Sequence, residues 1–319
     1  MIWLSFHIFY WDYPVPLLTE SIYPVIKELK RQNKILGFFF IRYNENGPHI
    51  RLRVKVTELE KEYVSKFIVD NISQYLQSKP SKTNLKLVPS DYLPNNSIQL
   101  INYIPEYQRY GGEEGIKIAE YLFESSSEAV LQLLETQPAI SYDGLIGYAV
   151  KMHIIFGYGL GLQKKQMQSF FNRNFDHTFF FIDRWKSQKP EVDVSKSAYQ
   201  DKFSKIFGSK ADILVPFIAN FLIALSRKMP LDDAALGKWL YDVKAVKKML
   251  VNADSRGELI FPAKFEGRSK PMYKRFIYLY NSYLHMTNNR IGINTVDEPY
   301  LSFLIFKSME AINENKKAD

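Results

Sequence analysis

The chain has 319 residues, of which 46% are hydrophobic and 15% aromatic, so it can bury a large core and is not expected to be disordered except at its ends. It contains no cysteine, which excludes disulfides, thiolate catalysis and cysteine-ligated metals and is typical of an intracellular protein. The net charge of +8 and the pI near 9.2 favour polyanions, acidic peptides or anionic small molecules as partners.

The first third of the chain has the pattern of a small antiparallel sheet with helices. Residues 1–10 predict a strand, and "TESIYPVIKELKRQNK" predicts a helix that is capped by Thr19 or begins after Pro24. The stretch "ILGFFFIRY", the turn "NENGP" and the alternating "HIRLRVKV" predict a β-hairpin. A helix over about 57–78 and strand candidates at "LKLV" and "IQLINYI" complete this part.

From residue 112 onward the hydrophobic spacing is helical. Helices are predicted in "GEEGIKIAEYLFESSSEAVLQLLE", "GLIGYAVKMHIIFG", "DILVPFIANFLIALSRK", "AALGKWLYDVKAVKKMLVNA", "MYKRFIYLYNSYLHM" and "EPYLSFLIFKSMEAIN". Residues 185–200 and 255–270 predict loops. We therefore expect an α+β fold with a sheet-rich N-terminal part, 1–111, and a helical C-terminal part, 112–319, that together form one continuous unit.

Neither apolar segment of note predicts export or membrane insertion. The start of the chain lacks the basic region and the small-residue cleavage site of a signal peptide, so we interpret it as a buried strand. The run "ILVPFIANFLIAL" contains Pro216 and Asn220 and is shorter than the roughly 20 residues that a spanning helix needs. We expect a cytoplasmic protein without a membrane partner.

Several common chemistries lack their sequence motifs. No HExxH, Walker A, GxSxG or RNA-binding signature occurs. The sequence "GYGLG" at 157–161 ends a predicted helix, so it indicates a helix terminus or close-packing glycines better than a dinucleotide site. The five histidines are far apart, so a metal site would have to be assembled from distant residues.

A first group of candidate binding residues lies in the hairpin. His49, Arg51 and Arg53 alternate with apolar residues and therefore project from one face of a strand. Arginine keeps its charge and presents a planar fork of donors that matches a carboxylate or an enolate oxygen. A solvated outer face is the usual alternative. Arg42 follows four apolar residues, where a solvated charge is less expected, and across the hairpin it could lie near the same face.

A second group lies in "YIPEYQRYGGEEG", residues 103–115. Glu106 and Arg109 flank a turn at Gly111 and Gly112 that leads into a predicted helix. The free N–H groups and the positive dipole end of a helix attract an anion. A structural Glu-Arg pair at a plain helix entry is the alternative.

A third group lies in "LHMTNNRIG", residues 284–292. His285 is predicted near the end of an amphipathic helix, and Asn288, Asn289 and Arg290 are predicted in the following turn. A histidine at such a position is more often a structural residue or a partner of the helix dipole than a catalyst.

In this order along the chain, the three groups resemble the C-terminal elimination domain of class I lanthipeptide dehydratases, which also occurs as separate proteins in thiopeptide-type bacteriocin pathways. The matching pieces are "FFFIRY" with "GPHIRLR", the pattern Tyr-x-Pro-Glu-x-x-Arg-Tyr-Gly-Gly at 103–112 with "AEYLFESSSEAV", and "LHMTNNRIG". The resemblance spans nearly the whole chain. It departs at Ser126, where the family pattern has an acidic residue; we expect this position on a helix surface.

The resemblance implies a reaction on a peptide. In this family a partner enzyme uses glutamyl-tRNA to esterify Ser or Thr side chains of a precursor peptide, and the elimination domain expels glutamate to leave dehydroalanine or dehydrobutyrine. Because the chain has 319 residues, we expect it to act on a leader-core peptide after a separate glutamylating enzyme. No metal, organic cofactor or direct nucleic-acid contact is implied, and a homodimer is left open.

The family motifs also imply roles for residues. Arg51 and Arg53 are assigned to the charge of the glutamate and the enolate, and Arg109 to the same anionic pocket. His285 is the candidate for proton transfer, as base or as acid, because histidine titrates near neutral pH. The remaining candidates for substrate binding are Arg42, His49, Glu106, Tyr110, Asn289 and Arg290.

Two other functions are weighed against elimination. Stand-alone relatives with this fold catalyse a formal [4+2] cycloaddition that joins two dehydroalanines into the pyridine of thiopeptides. Such an enzyme holds no glutamate, so the retained arginines and histidine favour elimination. The third function is a non-catalytic module that binds a leader peptide along a sheet edge, and the net charge of +8 suits an acidic leader.

Overall fold

The computed structural model describes residues 1–83, 88–186, 196–262 and 272–315. The fold is α+β, as predicted, with an N-terminal antiparallel sheet and helices after it. The chain divides into two compact units, the first formed by Met1–Tyr107 and Ile116–Ile140, the second by Gln108–Gly115 and Ser141–Asp319. Residues 116–140 thus group with the sheet, in contrast to a single boundary at residue 112.

The first unit contains a four-stranded antiparallel sheet with the strand order β2-β3-β1-β4. The strands are β1 (Ile2–Phe9), β2 (Gly37–Tyr43), β3 (His49–Val56) and β4 (Ser97–Leu100). Strands β2 and β3 form the predicted hairpin. Of the two later strand candidates, "IQLINYI" overlaps β4 at residues 98–100, whereas "LKLV" lies mostly outside the described residues.

The register of the strands gives the sheet an apolar face and a polar face. On β3, Ile50, Leu52 and Val54 are at most 2% exposed and form the apolar face. The alternate residues His49, Arg51 and Arg53 project from the other face, as predicted from the period of two.

The first helical segment of the first unit begins earlier than predicted, at Val15, whereas the helix predicted over about 57–78 lies close to its predicted bounds. The helical segments up to residue 78 are α1 (Val15–Leu17), a π-helical turn (Leu18–Ile22), α2 (Tyr23–Arg31), a 3₁₀ turn (Glu58–Glu60) and α3 (Lys61–Ser78). The expectation that Thr19 caps a helix is wrong, because Thr19 lies inside the helical segment and its Oγ1 donates to the Val15 carbonyl at 3.0 Å. Pro24 follows the π-helical turn, where the wider spacing of hydrogen bonds accommodates a residue without an N–H.

A long helix, α5 (Gly112–Thr136), follows the short α4 (Tyr107–Tyr110) and supplies part of the core of the first unit. The Phe123 ring lies 5.4 Å from the Phe39 ring of β2. The prediction that Ser126 lies on the helix surface is wrong: it is 1% exposed, and its hydroxyl donates to the Leu122 carbonyl at 3.0 Å. A serine can be satisfied there within its own helix, whereas a carboxylate would be buried.

The second unit is helical. Its helices are α6 (Tyr142–Gly159), α7 (Lys164–Lys186), α8 (Lys196–Ser226), α9 (Ala234–Ser255), α10 (Met272–Arg275), α11 (Ile277–Ile291) and α12 (Glu298–Asn315). Helix α7 was not predicted. It packs against α12, where the Phe175 ring lies 5.7 Å from the Phe303 ring. The predicted loops at 185–200 and 255–270 lie partly outside the described residues, and 196–200 begin α8.

Helix α11 runs through the core of the second unit. Leu279, Tyr280 and Tyr283 are at most 1% exposed. The helix continues to Ile291 and ends at Gly292, whose φ is 95°. The segment 288–290 is therefore helical, in contrast to the turn expected there, because a helix that buries so many side chains is stabilised to its last turn.

Helix α8 is longer than the apolar run seen in the sequence. Its 31 residues are long and apolar enough to cross a membrane by length and composition, and 11% of its most apolar window is buried. This observation concerns the helix alone and does not establish insertion into a membrane.

Candidate functional site

The polar face of the sheet carries a cationic cluster, called here the arginine face, which consists of Ser5, His7, His49, Arg51 and Arg53. The register pairs His7 with Arg51 and Ser5 with Arg53, so these side chains are neighbours on adjacent strands. Ser5 and His7 were not among the candidates named from the sequence. Their spacing of two within the otherwise apolar β1 is the signal that could have identified them.

Arg53 is the most enclosed cation of the arginine face. It is 7% exposed, and its guanidinium carbon lies 4.8 Å from the Tyr103 ring centroid and 5.6 Å from that of Phe39. Its Nε and Nη1 atoms are buried and have no hydrogen-bond partner among the described residues. Burial lowers the pKa of Arg53 to about 10, so the guanidinium still carries its charge at neutral pH. Buried donors of this kind bind an anion strongly when it reaches them.

Arg51 is held in place by an aromatic ring, a histidine and the exposed carboxylate of Glu45, whose Oε2 accepts from Nη2 of Arg51 at 3.3 Å. Its guanidinium carbon lies 3.4 Å from the Tyr43 ring centroid, and its Nε donates to Nε2 of His49 at 3.1 Å. Nδ1 of His49 lies 2.7 Å from the Gly47 carbonyl oxygen. Both bonds require a neutral His49 with its proton on Nδ1. Burial lowers the pKa of His49 and so favours this neutral form; the geometry gives His49 the role of orienting Arg51.

His7 completes the arginine face. Its ring stacks on His49 with the centroids 5.0 Å apart. Burial, together with Arg51, lowers the pKa of His7 to about 3, so this histidine is neutral at physiological pH. The cluster therefore presents the charges of its two arginines and no histidine charge.

The structure places Arg42 away from the arginine face. Its partner in the register is Ile50, which belongs to the apolar face, whereas Tyr43 is the partner of His49. The expectation that Arg42 lies near the face of Arg51 is therefore wrong, since a shift of one residue turns a side chain to the other side of the sheet. Burial lowers the pKa of Arg42 to about 10.

Glu106 lies in the irregular segment before α4 and is exposed. Its charge acts on Arg53 and opposes part of the lowering of the arginine pKa by burial. Glu106 therefore favours the charged form of Arg53, while Nε and Nη1 of Arg53 have no hydrogen-bond partner among the described residues.

The second unit contains a cavity of about 520 Å³, called here the α11 cavity. Four of its lining residues, Tyr278, Asn281, Ser282 and His285, follow the i, i+3, i+4, i+7 spacing of one face of α11. The other lining residues are Gln108, Arg109, His177, Thr178, Thr295 and Glu298. The structure thus brings together His285 and Arg109, which are 176 positions apart by the numbering of the chain.

His285 forms a hydrogen-bonded pair with a buried carboxylate. Its Nδ1 lies 2.8 Å from Oε1 of Glu298, the first residue of α12, and the Glu298 side chain is 4% exposed whereas that of His285 is 39% exposed. An ionised carboxylate accepts the proton of Nδ1, which leaves Nε2 as the atom for proton transfer. Glu298 was not among the candidates named from the sequence, because it lies 13 positions after His285 at the start of another helix, and no helical spacing relates the two.

Arg109 lies at the edge of the same cavity. Its Nε donates to the Ser282 hydroxyl at 3.4 Å, and its guanidinium carbon lies 5.4 Å from the Tyr110 ring centroid. Tyr110 itself is 2% exposed and stacks 6.1 Å from the Tyr283 ring, so it supports Arg109 from the core. The glycine turn into α5 is present as predicted, with φ angles of 87° at Gly111 and 90° at Gly112.

The end of α11 is mainly structural. Arg290 is fully buried, and its Nη1 donates to the Met286 carbonyl at 2.7 Å. Asn288 is also buried and contacts Nε2 of His153 through its Oδ1 at 2.8 Å. The structure thus places Arg290 in the core, where it does not line the α11 cavity, while Asn289 is half-buried in the same helical turn.

Among the residues that the structure describes, no group of three or more His, Asp or Glu side chains is arranged to hold a metal ion. The arginine face belongs to the first unit and the α11 cavity to the second. The first offers fixed positive charge, and the second offers a histidine whose tautomer is set by a carboxylate.

This fold occurs in enzymes of peptide-antibiotic biosynthesis. The chain is similar to the pyridine synthase TbtD from thiomuracin biosynthesis, with a TM-score of 0.76 and 14% identity over 97% of each chain. It is also similar to TsrL, with a TM-score of 0.70 and 16% identity over 98% of this chain and 95% of the other. A third match is the tRNA-dependent lantibiotic dehydratase MibB from Microbispora sp. 107891, with a TM-score of 0.63 and 15% identity over 100% of this chain and 29% of MibB.

The chain belongs to the lantibiotic biosynthesis dehydratase C-terminal family, which matches residues 3–309. It is 23% identical to the epidermin biosynthesis protein EpiB of Staphylococcus epidermidis over 301 residues, or 94% of this chain. The chain spans 25% of the length of EpiB. The resemblance found in the sequence motifs is therefore confirmed at the level of the family.

Proposed function

We propose that the protein expels glutamate from glutamylated Ser or Thr side chains of a ribosomal precursor peptide, leaving dehydroalanine or dehydrobutyrine. The observation that carries the proposal is the arginine face, where Arg53 keeps two buried guanidinium nitrogens without a partner among the described residues and Arg51 is oriented beside it. Glutamate leaves as an anion, and its carboxylates match these donors.

The elimination breaks the Cα–H bond and the Cβ–O bond of the modified residue. The electrons of the Cα–H bond form the Cα=Cβ double bond, and the glutamate leaves with the Cβ–O electron pair as a carboxylate. Nε2 of His285 accepts the proton from Cα, since Nδ1 donates its own proton to the hydrogen bond with Glu298. Arg109 supplies a cation in the same cavity, where it favours the negative charge that develops on the enolate oxygen.

Cycloaddition is the second candidate, and the similarity to TbtD over 97% of both chains is the observation that favours it. A pyridine synthase acts on a peptide whose dehydroalanines are already present, so it has no glutamate to hold. A buried arginine with free donors would then be costly without a purpose. Elimination is for this reason the first proposal.

The proposal includes the partners and the location of the reaction. The substrate is the leader-core precursor peptide after a separate tRNA-dependent enzyme has glutamylated it, and the reaction takes place in the cytoplasm. Family membership and the match to MibB support a role beside a glutamylating activity.

The test is mass spectrometry of a precursor peptide treated with a glutamylating enzyme, with and without this protein. Elimination predicts glutamyl adducts without the protein and products that have lost water in its presence. Persistent adducts, combined with cyclisation and leader loss of a peptide that already contains dehydroalanines, would establish the pyridine synthase instead. If neither peptide changes although both bind, the protein is a binding module.

A further inference from the structure

Asn281 is a buried polar residue that lines the α11 cavity. It lies one helical turn before His285, at the i, i+4 spacing that places two side chains side by side on a helix. Its side chain is 7% exposed and lines the cavity together with Arg109 and His285. In a buried amide at this position, the atom that faces the protein needs a hydrogen-bond partner there, and the atom that faces the cavity can form a hydrogen bond to a ligand.

A buried hydrogen-bond chain fixes the orientation of the Asn281 amide. The Ser302 hydroxyl of α12 donates to Oδ1 of Asn174 in α7, and Nδ2 of Asn174 donates to Oδ1 of Asn281 at 2.9 Å. Asn174 and Ser302 are 4% and 0% exposed, so water does not compete for these bonds. The carbonyl oxygen of Asn281 is therefore used inside the protein.

The Asn281 side chain makes no other hydrogen bond to the residues that the structure describes. Its amide nitrogen has two protons and lies on the opposite branch of the same planar group. Nδ2 of Asn281 has no such partner and is not fully buried, and the side chain lines the cavity. This nitrogen is therefore open to the cavity. The cavity thus contains a neutral donor, Asn281, beside a cation, Arg109, and a proton-transfer group, His285.

The geometry points to a role for Nδ2 of Asn281: it donates a hydrogen bond to a carbonyl oxygen of the peptide substrate in the α11 cavity. On the proposed function, on which this assignment rests, that oxygen belongs to the residue that loses its α-proton, and it becomes negative as the enolate forms. A donor that buried bonds already orient needs no reorganisation when the charge develops. Asn281 is therefore a catalytic residue, and Asn174 and Ser302 are positioning residues.

The variant Asn281→Asp tests this role because it is isosteric. Its carboxylate still accepts the bond from Asn174, but it offers no donor to the substrate and places negative charge where negative charge develops. Loss of one such donor lowers kcat by about 10²–10³-fold in other enzymes, and we expect at least that loss, with a smaller change in KM. The matched control is Asn220→Asp on an exposed position of α8, which should retain the wild-type kcat.

The buried hydrogen-bond chain offers a second variant, for which a smaller loss of kcat is expected. Ser302→Ala removes the far end of the chain and leaves every atom that lines the cavity in place. We expect a smaller loss of kcat, about 10-fold, because Asn174 can then rotate and release Asn281 from its orientation. If Asn281→Asp keeps the wild-type kcat, the amide oxygen and not the nitrogen faces the substrate, and the assignment is overturned.

A binding measurement separates this inference from the proposed function. The probe is a precursor peptide with a glutamyl amide of diaminopropionic acid in place of the glutamyl ester, which cannot readily eliminate. The side-chain ¹⁵N–¹H₂ signals of Asn281, identified by their absence in Asn281→Asp, should shift downfield when the probe binds. Unshifted signals in the presence of bound probe would reject the role of Asn281, whichever reaction the wild-type protein catalyses. A wild-type protein that leaves glutamyl adducts intact while these signals shift would reject elimination alone.

Discussion

Arg53 has the features of a residue selected for binding at a cost in stability. Its buried Nε and Nη1 have no partner among the described residues, and an unsatisfied buried donor costs about 1–3 kcal/mol. We expect Arg53→Met to raise the free energy of unfolding by about 1–3 kcal/mol, measured by urea unfolding, and to lower kcat/KM for elimination by about 10²-fold or more.

Arg42 provides the matched control for that experiment. It lies on the apolar face of the sheet and has interactions of its own, so Arg42→Met should lower the free energy of unfolding and should change kcat/KM much less. If both variants lose stability to the same extent, Arg53 is a structural cation, and the arginine face loses the observation that carries the proposed function.

Glu298 sets the tautomer of His285. The loss of kcat on replacing Glu298 should therefore depend on whether the new side chain still accepts a hydrogen bond from Nδ1. Glu298→Gln keeps an oxygen that accepts from Nδ1, whereas Glu298→Leu keeps none. We expect a loss of kcat of about 10–100-fold for the leucine variant and a smaller loss for the glutamine variant. Both losses should stay within the roughly 10²–10⁴-fold that a proton-transfer group itself contributes.

The measurement is single-turnover elimination from a glutamylated peptide, with thermal unfolding of each variant as the control for folding. Equal losses in the glutamine and leucine variants would show that the carboxylate charge, and not the tautomer, is what His285 requires.

At the level of single residues, motifs in the sequence identified side chains but not their surroundings. Arg51, Arg53, Arg109 and His285 were all named from their patterns, and the structure places Arg109 and His285 in one cavity. Glu298 was not found, because no local pattern relates it to His285. The contact depends on the packing of α12 against neighbouring helices, which a single sequence does not specify.

At the level of secondary structure, the turn between α4 and α5 positions Arg109, and it depends on a close approach of two backbones. A Cβ on Gly115 would lie 1.9 Å from the Tyr110 carbonyl oxygen, a distance that only a shift of the backbone can relieve. We expect Gly115→Ala to lower the free energy of unfolding by about 2 kcal/mol or more and to reduce elimination with it.

Gly147 in α6 is the control for this substitution. A Cβ there meets no atom within 4 Å, and alanine is the better helix former, so Gly147→Ala should raise the free energy of unfolding by up to about 1 kcal/mol. Urea unfolding of the two variants should show a lower free energy of unfolding for Gly115→Ala and a higher one for Gly147→Ala. A stabilising Gly115→Ala would show that the turn is loose and that Arg109 is positioned by other contacts.

Hydrophobic periodicity predicted most of the helices and strands that bury one face, but not all of them. The hairpin of β2 and β3 and the helices α5, α6, α9 and α12 were predicted with nearly their observed bounds. Helix α7 was missed although its buried residues Met167, Phe170, Phe171, Phe175 and Phe179 follow helical spacing, because that spacing was not read from "QSFFNRNF". The position of Arg42 was missed for another reason: the strand register decides the face, and one residue of shift reverses it.

At the scale of the whole molecule, the net charge of +8 agrees with an anionic substrate only if the positive charge is concentrated where that substrate binds. The arginine face provides such a concentration, because the neutral His7 and His49 do not compete with the arginines for an anion. Burial of these histidines in the neutral state has a consequence for stability, since the unfolded chain can protonate them and the folded chain resists it.

The stability of the protein should therefore fall as the pH is lowered from about 6.5. Burial lowers the pKa of His7 to about 3 and that of His153 to about 4, while in the unfolded chain each titrates near 6.5. Between these values the unfolded state binds more protons than the folded state, so each histidine lowers the free energy of unfolding by up to about 1.4 kcal/mol per pH unit as the pH falls. Urea unfolding between pH 7.5 and pH 5 measures this slope, and His7→Gln or His153→Gln should each make it shallower by up to that amount. A variant with the wild-type slope would show that the replaced histidine is already protonated in the folded protein. For His7, this result would mean that the arginine face carries a histidine charge as well, contrary to the neutral His7 described above.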